Sequence, residues 1–282
     1  MLKFLLNLLK KILGEKRYLF LRRFYFLYLL HPIKFLKKIF YHKKNSDFLE
    51  NESFLKELKF DLKEISSDLK KDNYDFYDDN LSWHYHLFAG FKQKLKSSNN
   101  IKILEIGTFR GKFTNFLSNL FPNSEIHSID LPFNDKAFKN SYGRHDDNEL
   151  KSFLNERKSN IDKKNIFFKE MDSKNLLDNY SVKDFDLIWI DGDHLNPQVS
   201  IDIFQSLKLI KKNGIICCDD VIKDKLKIKS NYISNDSYNC LNSLEKQNII
   251  FSKFFLKRVH KSNAVLKKYI SISYQNNSFL KI

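Results

Sequence analysis

Three cysteines are all the chain has, an odd number, and no two of them stand in a C-x-x-C spacing. That excludes a disulfide framework and a thiolate zinc site. Cys217 and Cys218 are adjacent in an apolar run, where neighbouring side chains of a strand point to opposite faces, so small buried hydrophobes in a reducing compartment are expected. No uncharged apolar run approaches the roughly 20 residues that a membrane-spanning helix needs. No small-residue A-x-A site marks a secretory leader. Acids are nearly missing from residues 1–44, which hold twelve Lys and Arg against Glu15 alone. Of the formal charge of +15, +11 therefore lies in that segment and +4 over the other 238 residues. A nucleic-acid enzyme should carry its basic footprint around its active site, so this segregation argues against a nucleic-acid partner.

What residues 1–44 do hold is a basic amphipathic pattern. Leu2, Phe4, Leu5, Leu6, Leu8, Leu9, Ile12 and Leu13 cover one wide face, and Lys3, Asn7, Lys10, Lys11 and Gly14 cluster opposite. After His31-Pro32, Lys34, Lys37 and Lys38 interrupt a second apolar stretch. Such helices suit the interface of an anionic membrane, which attracts basic residues at about 1 kcal/mol each. The expectation is a cytoplasmic protein held peripherally on the inner face of the membrane through residues 1–44. Residues 45–82 read as a helical connector, acidic in alternation with Lys. Residues 83–282 read as the catalytic domain, opened by a helix from Trp83 to about Lys96. His84 and His86 are two apart on that helix and cannot chelate one metal together.

From Ile101 the pattern alternates strand and helix, which implies a parallel sheet. Strands are expected at 101–106, 125–129, 166–169, 185–190 and 215–218, with helices at 111–120 and 198–212. Two further strands, 249–259 and 269–274, look like a closing antiparallel hairpin. The fold class is therefore α/β, a Rossmann-like, mostly parallel seven-stranded sheet. Residues 132–164 read as an insertion after the second strand, with Arg144 and Arg157 on it and Arg144 a solvated loop residue.

Chemistry concentrates where apolar strands end in acids. Phe185-Asp186-Leu187-Ile188-Trp189-Ile190 runs into Asp191-Gly192-Asp193-His194, and Gly214-Ile215-Ile216-Cys217-Cys218 runs into Asp219-Asp220. In open α/β sheets ligands bind beyond the carboxyl ends of the strands. Glu105-Ile106-Gly107-Thr108-Phe109-Arg110-Gly111 follows a strand and opens a helix, so backbone N–H groups can approach a ligand. The dinucleotide fingerprint G-x-G-x-x-G fails at its second and third glycines, Phe109 standing in the second place. An acid at Glu105 would repel a pyrophosphate and suits a cationic ligand. Asp130, about 20 residues on, ends the next strand and could accept two hydrogen bonds from a ribose diol.

Together these motifs resemble class I S-adenosylmethionine-dependent methyltransferases, and within them the metal-dependent O-methyltransferases that act on sugars. The resemblance covers about residues 83–275. It implies Gly107, Thr108 and Gly111 along the methionine part of the cofactor with Glu105 near it, Asp130 on the ribose, and Asp172 with Ser173 beside the adenine. Asp191 would border the cofactor and, with Asp219 and Asp220, hold Mg²⁺, while His194 acts as base. Strands carrying Asp191 and Asp219 would be neighbours about 4.8 Å apart, so their carboxylates could share one ion. The implied activity is methylation of a sugar hydroxyl on a glycan or glycolipid precursor. Two rivals stay open on the sequence: a metal-independent methyltransferase of a lipid, quinone or small phenol, and a non-catalytic membrane-bound interaction protein with a degenerate fold.

Overall fold

Short apolar runs bounded by polar residues make buried strands when both faces of a sheet are covered. Seven strands form in the computed structural model, which describes residues 47–78, 81–95, 100–141, 144–224, 234–259 and 267–276. They are β1 (Lys102–Ile106), β2 (Glu125–Asp130), β3 (Ile166–Glu170), β4 (Phe185–Ile190), β5 (Ile210–Val221), β6 (Ile250–Val259) and β7 (Lys267–Gln275). Their order across the sheet is β3-β2-β1-β4-β5-β7-β6. The first five strands pair in parallel, and β7 inserts antiparallel between β5 and β6. This is the mostly parallel sheet with a C-terminal hairpin that the alternation predicts.

The period-2 alternation of β4 shows how both faces are buried. Trp189 points to one side, against Phe88 at 5.2 Å and Phe113 at 5.5 Å. Those rings come from α3 (His84–Leu95) and α4 (Lys112–Leu120). Ile188 and Ile190 point to the other, into a cluster with Val199 and Ile203 of α8 (Gln198–Leu209) and Leu241 and Leu244 of α9 (Asp236–Lys246). Cys217 and Cys218 are free and fully buried in β5, as the two-sided burial of that strand requires. His84 lies 5.6 Å from the Trp189 ring and His86 Nε2 donates to the Phe76 carbonyl at 2.8 Å. Both pack against the core.

Two parts of the chain differ from expectation. The connector is built into the fold, within a compact unit that runs from Leu49 to Ile282. Helices α1 (Asp47–Glu57) and α2 (Leu62–Lys71) bury Leu55, Ile65 and Leu69. Asn51 Nδ2 donates to the Leu256 carbonyl at 2.9 Å, and the Phe54 and Phe255 rings lie 5.3 Å apart. The insertion is helical: α5 (Lys136–Asn140) and α6 (Asp147–Ile161) are each capped by an acid, Asp135 and Asp146, accepting from the first free backbone N–H groups. Arg144 is buried and not solvated, its guanidinium 3.7 Å from the Phe138 ring centroid. Short α7 (Leu176–Asn179) completes the helices between β3 and β4.

Among the described residues no helix is long and apolar enough to cross a membrane. The basic amphipathic helices expected over 1–44 lie outside the described residues.

Candidate active site

Because β1, β2, β4 and β5 run parallel, their carboxyl ends open on one edge of the sheet. A cleft of about 760 Å³ lies there, in the range that holds a small-molecule ligand. Its walls bring Gly107, Asp130, Asp172 and Ser173 together with Asp191, His194, Asp219 and Asp220. Apolar surface comes from Ile106, Ile129, Leu131 and Met171.

The turn after β1 is fixed by close backbone approach. Gly107 has φ +103°, and a Cβ on it would stand 2.3 Å from the Asp191 carbonyl oxygen. Its N–H donates to the Ile129 carbonyl at 2.9 Å, and Asp191 N–H donates to the Ile106 carbonyl at 2.8 Å. These bonds lock the ends of β1, β2 and β4 at one depth. Gly111 (φ +72°) lies off the cleft, where a Cβ would meet Ile161 Cγ2 at 2.7 Å, so it seats α6 on the turn. Thr108 is likewise buried, its hydroxyl 2.6 Å from Ser128 Oγ.

Glu105 does not line the cleft either. It is buried and accepts from the Thr114 and Ser128 hydroxyls, each at 2.5 Å. Burial pushes its carboxyl up to about 8, against the two hydrogen bonds and helped by the charges of Asp191 and Asp130. Within the fold Glu105 thus contacts two hydroxyls, set back from the cleft wall. Its acid form is the stable one in the fold, so the stability present at low pH is lost as pH rises through the folded value. Glu105→Gln should match the parent in urea unfolding at pH 5 and exceed it at pH 9 by roughly 4 kcal/mol. An equal or lower stability at pH 9 would show that the carboxyl is ionised at little cost.

Asp130 faces the cleft with most of its acceptor capacity taken. Oδ2 accepts from Phe109 N–H at 3.0 Å and Arg157 Nη2 at 3.1 Å, and Oδ1 from Leu131 N–H at 2.9 Å. A carboxylate offers about four lone-pair sites, so about one is left for a hydroxyl where the sequence suggested two. Burial raises the Asp130 carboxyl despite Arg157. Arg157 reaches Asp130 from α6 and is itself buried, between the Phe138 and Phe153 rings at 4.9 and 5.0 Å. Asp172 caps the turn after β3, accepting from Lys174 N–H at 3.0 Å. Ser173 Oγ donates to Asp202 Oδ1 at 2.7 Å and accepts from Gln198 Nε2 at 2.7 Å. Asp202 and Gln198 line the same end of the cleft. Both went unnoticed in the sequence, where they read as ordinary residues of a helix face.

At the other end, His194 Nε2 stands 3.6 Å from Asp191 Oδ1, within ion-pair range and beyond a hydrogen bond. Burial opposes charge on the imidazole, but Asp191, then Asp220 and Asp219, outweigh it and hold His194 above its ordinary range. Asp191 opens to the cleft, yet desolvation by the cleft walls and the charge of Asp219 push its carboxyl up. Asp219 is buried, and the charge of Lys257 overcomes that burial and holds its carboxyl down.

Two of the three acids expected to hold Mg²⁺, Asp219 and Asp220, already face ammonium groups, while Asp191 faces His194. Lys257 Nζ donates to Asp219 Oδ2 and, at 3.0 Å, to Asp220 Oδ1, and Lys268 Nζ donates to Asp220 Oδ2. Mg²⁺ demands near-octahedral oxygen coordination. Asp219 Oδ1 alone among these four oxygens has no hydrogen-bond partner within the described residues. No group of three or more His, Cys, Asp and Glu is arranged there to hold a metal ion, again among the described residues. The donor set does not fit a divalent cation. S-adenosylmethionine does fit: the cleft has room, apolar walls for a base, one acceptor position on Asp130 and carboxylates for cationic groups.

Residues 104–221 match the family model described as a methyltransferase domain. Among solved structures the chain is similar to the O-methyltransferase TomG from Streptomyces achromogenes, involved in tomaymycin synthesis and bound to S-adenosylmethionine. Identity there is 14%, over 82% of this chain and 99% of that one, with a TM-score of 0.49. It is also similar to an O-methyltransferase from Bacillus cereus in complex with S-adenosylhomocysteine, at 15% identity over 76% of this chain and 90% of that one, with a TM-score of 0.47. No curated protein matches the chain in sequence.

Proposed function

We propose that this chain, a class I S-adenosylmethionine-dependent methyltransferase, methylates a hydroxyl oxygen of a sugar on a glycan or glycolipid precursor. The observation that carries the reading is the continuity of one cleft from the Gly107 turn and Asp130 to His194. A methyl acceptor bound there lies between a nucleoside site and an imidazole held by a carboxylate. Hydrogen-bonding side chains also line the cleft, Asp135, Asn140, Ser141, Lys174 and Asp193 among them, which suits a polyol acceptor.

Bound S-adenosylmethionine would supply an electrophilic methyl on a sulfonium. The protein's part is to hold the acceptor oxygen in line and remove its proton. His194, neutral when it acts, takes that proton, and Asp191 then stabilises the imidazolium. The backbone of Asp191 is fixed by its hydrogen bond to Ile106 on β1, which holds the carboxylate side of the pair in place. No step is assigned to a divalent cation.

The basic segment 1–44 supports a membrane-surface location, cytoplasmic and peripheral, where a lipid-linked acceptor would be presented. The reading is tested by mass spectrometry of surface glycans and lipids from cells with and without the gene. A glycan or glycolipid lighter by one methyl group in the deletion is the expected result. An unchanged glycan and glycolipid profile, with a methyl lost from a quinone or a phenol, would transfer the enzyme to that acceptor class. Removing residues 1–44 should move the protein from the membrane to the soluble fraction, and unchanged fractionation would remove the membrane role.

A further inference from the structure

We infer that the ammonium group of Lys257 stands in for a divalent cation at the acceptor end of the cleft, so that this methyltransferase works without a metal. The inference rests on the methyltransferase reading for its chemistry, and on two irregular strands for its geometry. Consecutive residues of a regular strand point to opposite faces. Asp219 and Asp220 nevertheless meet the same nitrogen, Lys257 Nζ. The register of β5 against β7 shifts between Cys218 and Val221, and Asp220 has φ +49°. A bulge there turns both carboxylates to one side.

A second register shift lies in β6, between Leu256 and Arg258, and the residue it displaces is Lys257. β6 is the edge strand, separated from β5 by β7. Without the bulge a side chain of β6 would not be expected to reach across a whole strand to the end of β5. With it, the Lys257 stem is buried and its head lines the cleft beside Asp219 and Asp220. Lys268, also buried, backs the arrangement from β7 by donating to the remaining oxygen of Asp220. Bulges gather next to active sites because they re-aim side chains, and here two of them aim opposite charges at one point.

The charge count explains why an ammonium serves here. Asp191, Asp219 and Asp220 bring three negative charges, and Lys257 and Lys268 return two, before His194 is counted. A divalent ion added to that set would reverse the sign of the site and displace a buried ammonium from its partners. Lysine has the further property of being a point charge with three donors, able to bridge two carboxylates as a metal does. When His194 takes the acceptor's proton, the negative charge growing on that oxygen is met by the fixed charge of Lys257. No co-reactant beyond the methyl donor is required.

The experiment uses the full-length protein, with Mn²⁺ as the probe ion read by electron paramagnetic resonance and S-adenosylmethionine binding read by calorimetry. Wild type should bind S-adenosylmethionine and leave the Mn²⁺ spectrum that of the free ion, and methyl transfer to the identified acceptor should survive chelator within about twofold. Lys257→Ala uncovers the carboxylates and should bind Mn²⁺ roughly 100-fold more tightly than wild type, since the competing charge is gone. Its lowered methyl transfer should recover in part with added Mg²⁺. Lys257→Met keeps an unbranched apolar stem of nearly the same length without the charge and replaces the alanine variant if thermal melting shows that variant unfolded. Mn²⁺ bound by wild type at the cleft, with activity lost in chelator, overturns the inference. So does a folded Lys257 variant that gains no Mn²⁺ affinity. Failure of the methyltransferase reading itself would appear separately, as wild type that does not bind S-adenosylmethionine.

Discussion

Gly107→Ala is expected to lose S-adenosylmethionine binding and to lower the melting temperature by roughly 8–15 °C. The added Cβ would lie 2.3 Å from the Asp191 carbonyl oxygen, 2.7 Å from its carbon and 3.0 Å from Gly192 N. All three atoms are backbone, so no side-chain rotation can make room. The residue also has φ +103°, where a Cβ costs about 1–3 kcal/mol by itself. Relief requires β1 and β4 to separate at the point where Asp191 N–H reaches the Ile106 carbonyl. A total near 3–4 kcal/mol follows, a large part of a domain's stability. Gly192→Ala is the matched control: its Cβ would meet nothing closer than Asp202 Oδ2 at 3.5 Å, an ordinary contact. Calorimetric titration and thermal melts of both variants check this. Gly107→Ala melting with the parent would mean that the turn is looser than its backbone contacts imply.

His194→Ala should bind S-adenosylmethionine as the parent does and lose about 10²–10⁴ in kcat, the usual contribution of a general base. The pH profile gives a sharper test than the loss. A base must be unprotonated, and the acids around His194 hold its imidazole above the ordinary 6.5. The acid limb of kcat should therefore rise through a pH above that value and vanish in His194→Ala. Asp191→Asn removes the strongest of the groups that raise it, leaving burial to dominate, so the limb should move to lower pH. A limb that persists in His194→Ala would hand the proton to another group.

How much of this was legible beforehand depended on whether the signal was local. The parallel strands were readable because they are short apolar runs closed by an acid or a glycine, as with Leu187 to Ile190 before Asp191-Gly192. The cleft acids were readable for the same reason. Glu105 misled because an acid closing a strand looks alike whether it faces a ligand or two buried hydroxyls, and Ser128 and Thr114 are distant in sequence. The helices of the insertion did leave a local mark, Asp146 followed three residues on by Glu149, a helix-start pattern that was outweighed by the polar surroundings. Arg157 and Lys257 left none. A basic residue in a polar helix or an edge strand reads as solvated, and only the tertiary fold turns Arg157 to Asp130 and the bulge in β6 turns Lys257 to Asp219. Leu55, Ile65 and Leu69 were hidden by the Lys and Glu around them, since α1 and α2 bury narrow stripes.

Of the described strands the one that neighbours β5 comes last in sequence, after the edge strand it separates from β5. During synthesis, which proceeds from the N-terminus, a ribosome that has delivered everything through Val259 has made all of the acids and Lys257 but has not yet supplied the rail on which β6 hangs. Until Lys268 and the residues to Gln275 emerge, β6 lacks the partner strand that places Lys257 beside Asp219 and Asp220. Truncation before Lys268 is therefore expected to leave Asp219 and Asp220 without either ammonium partner.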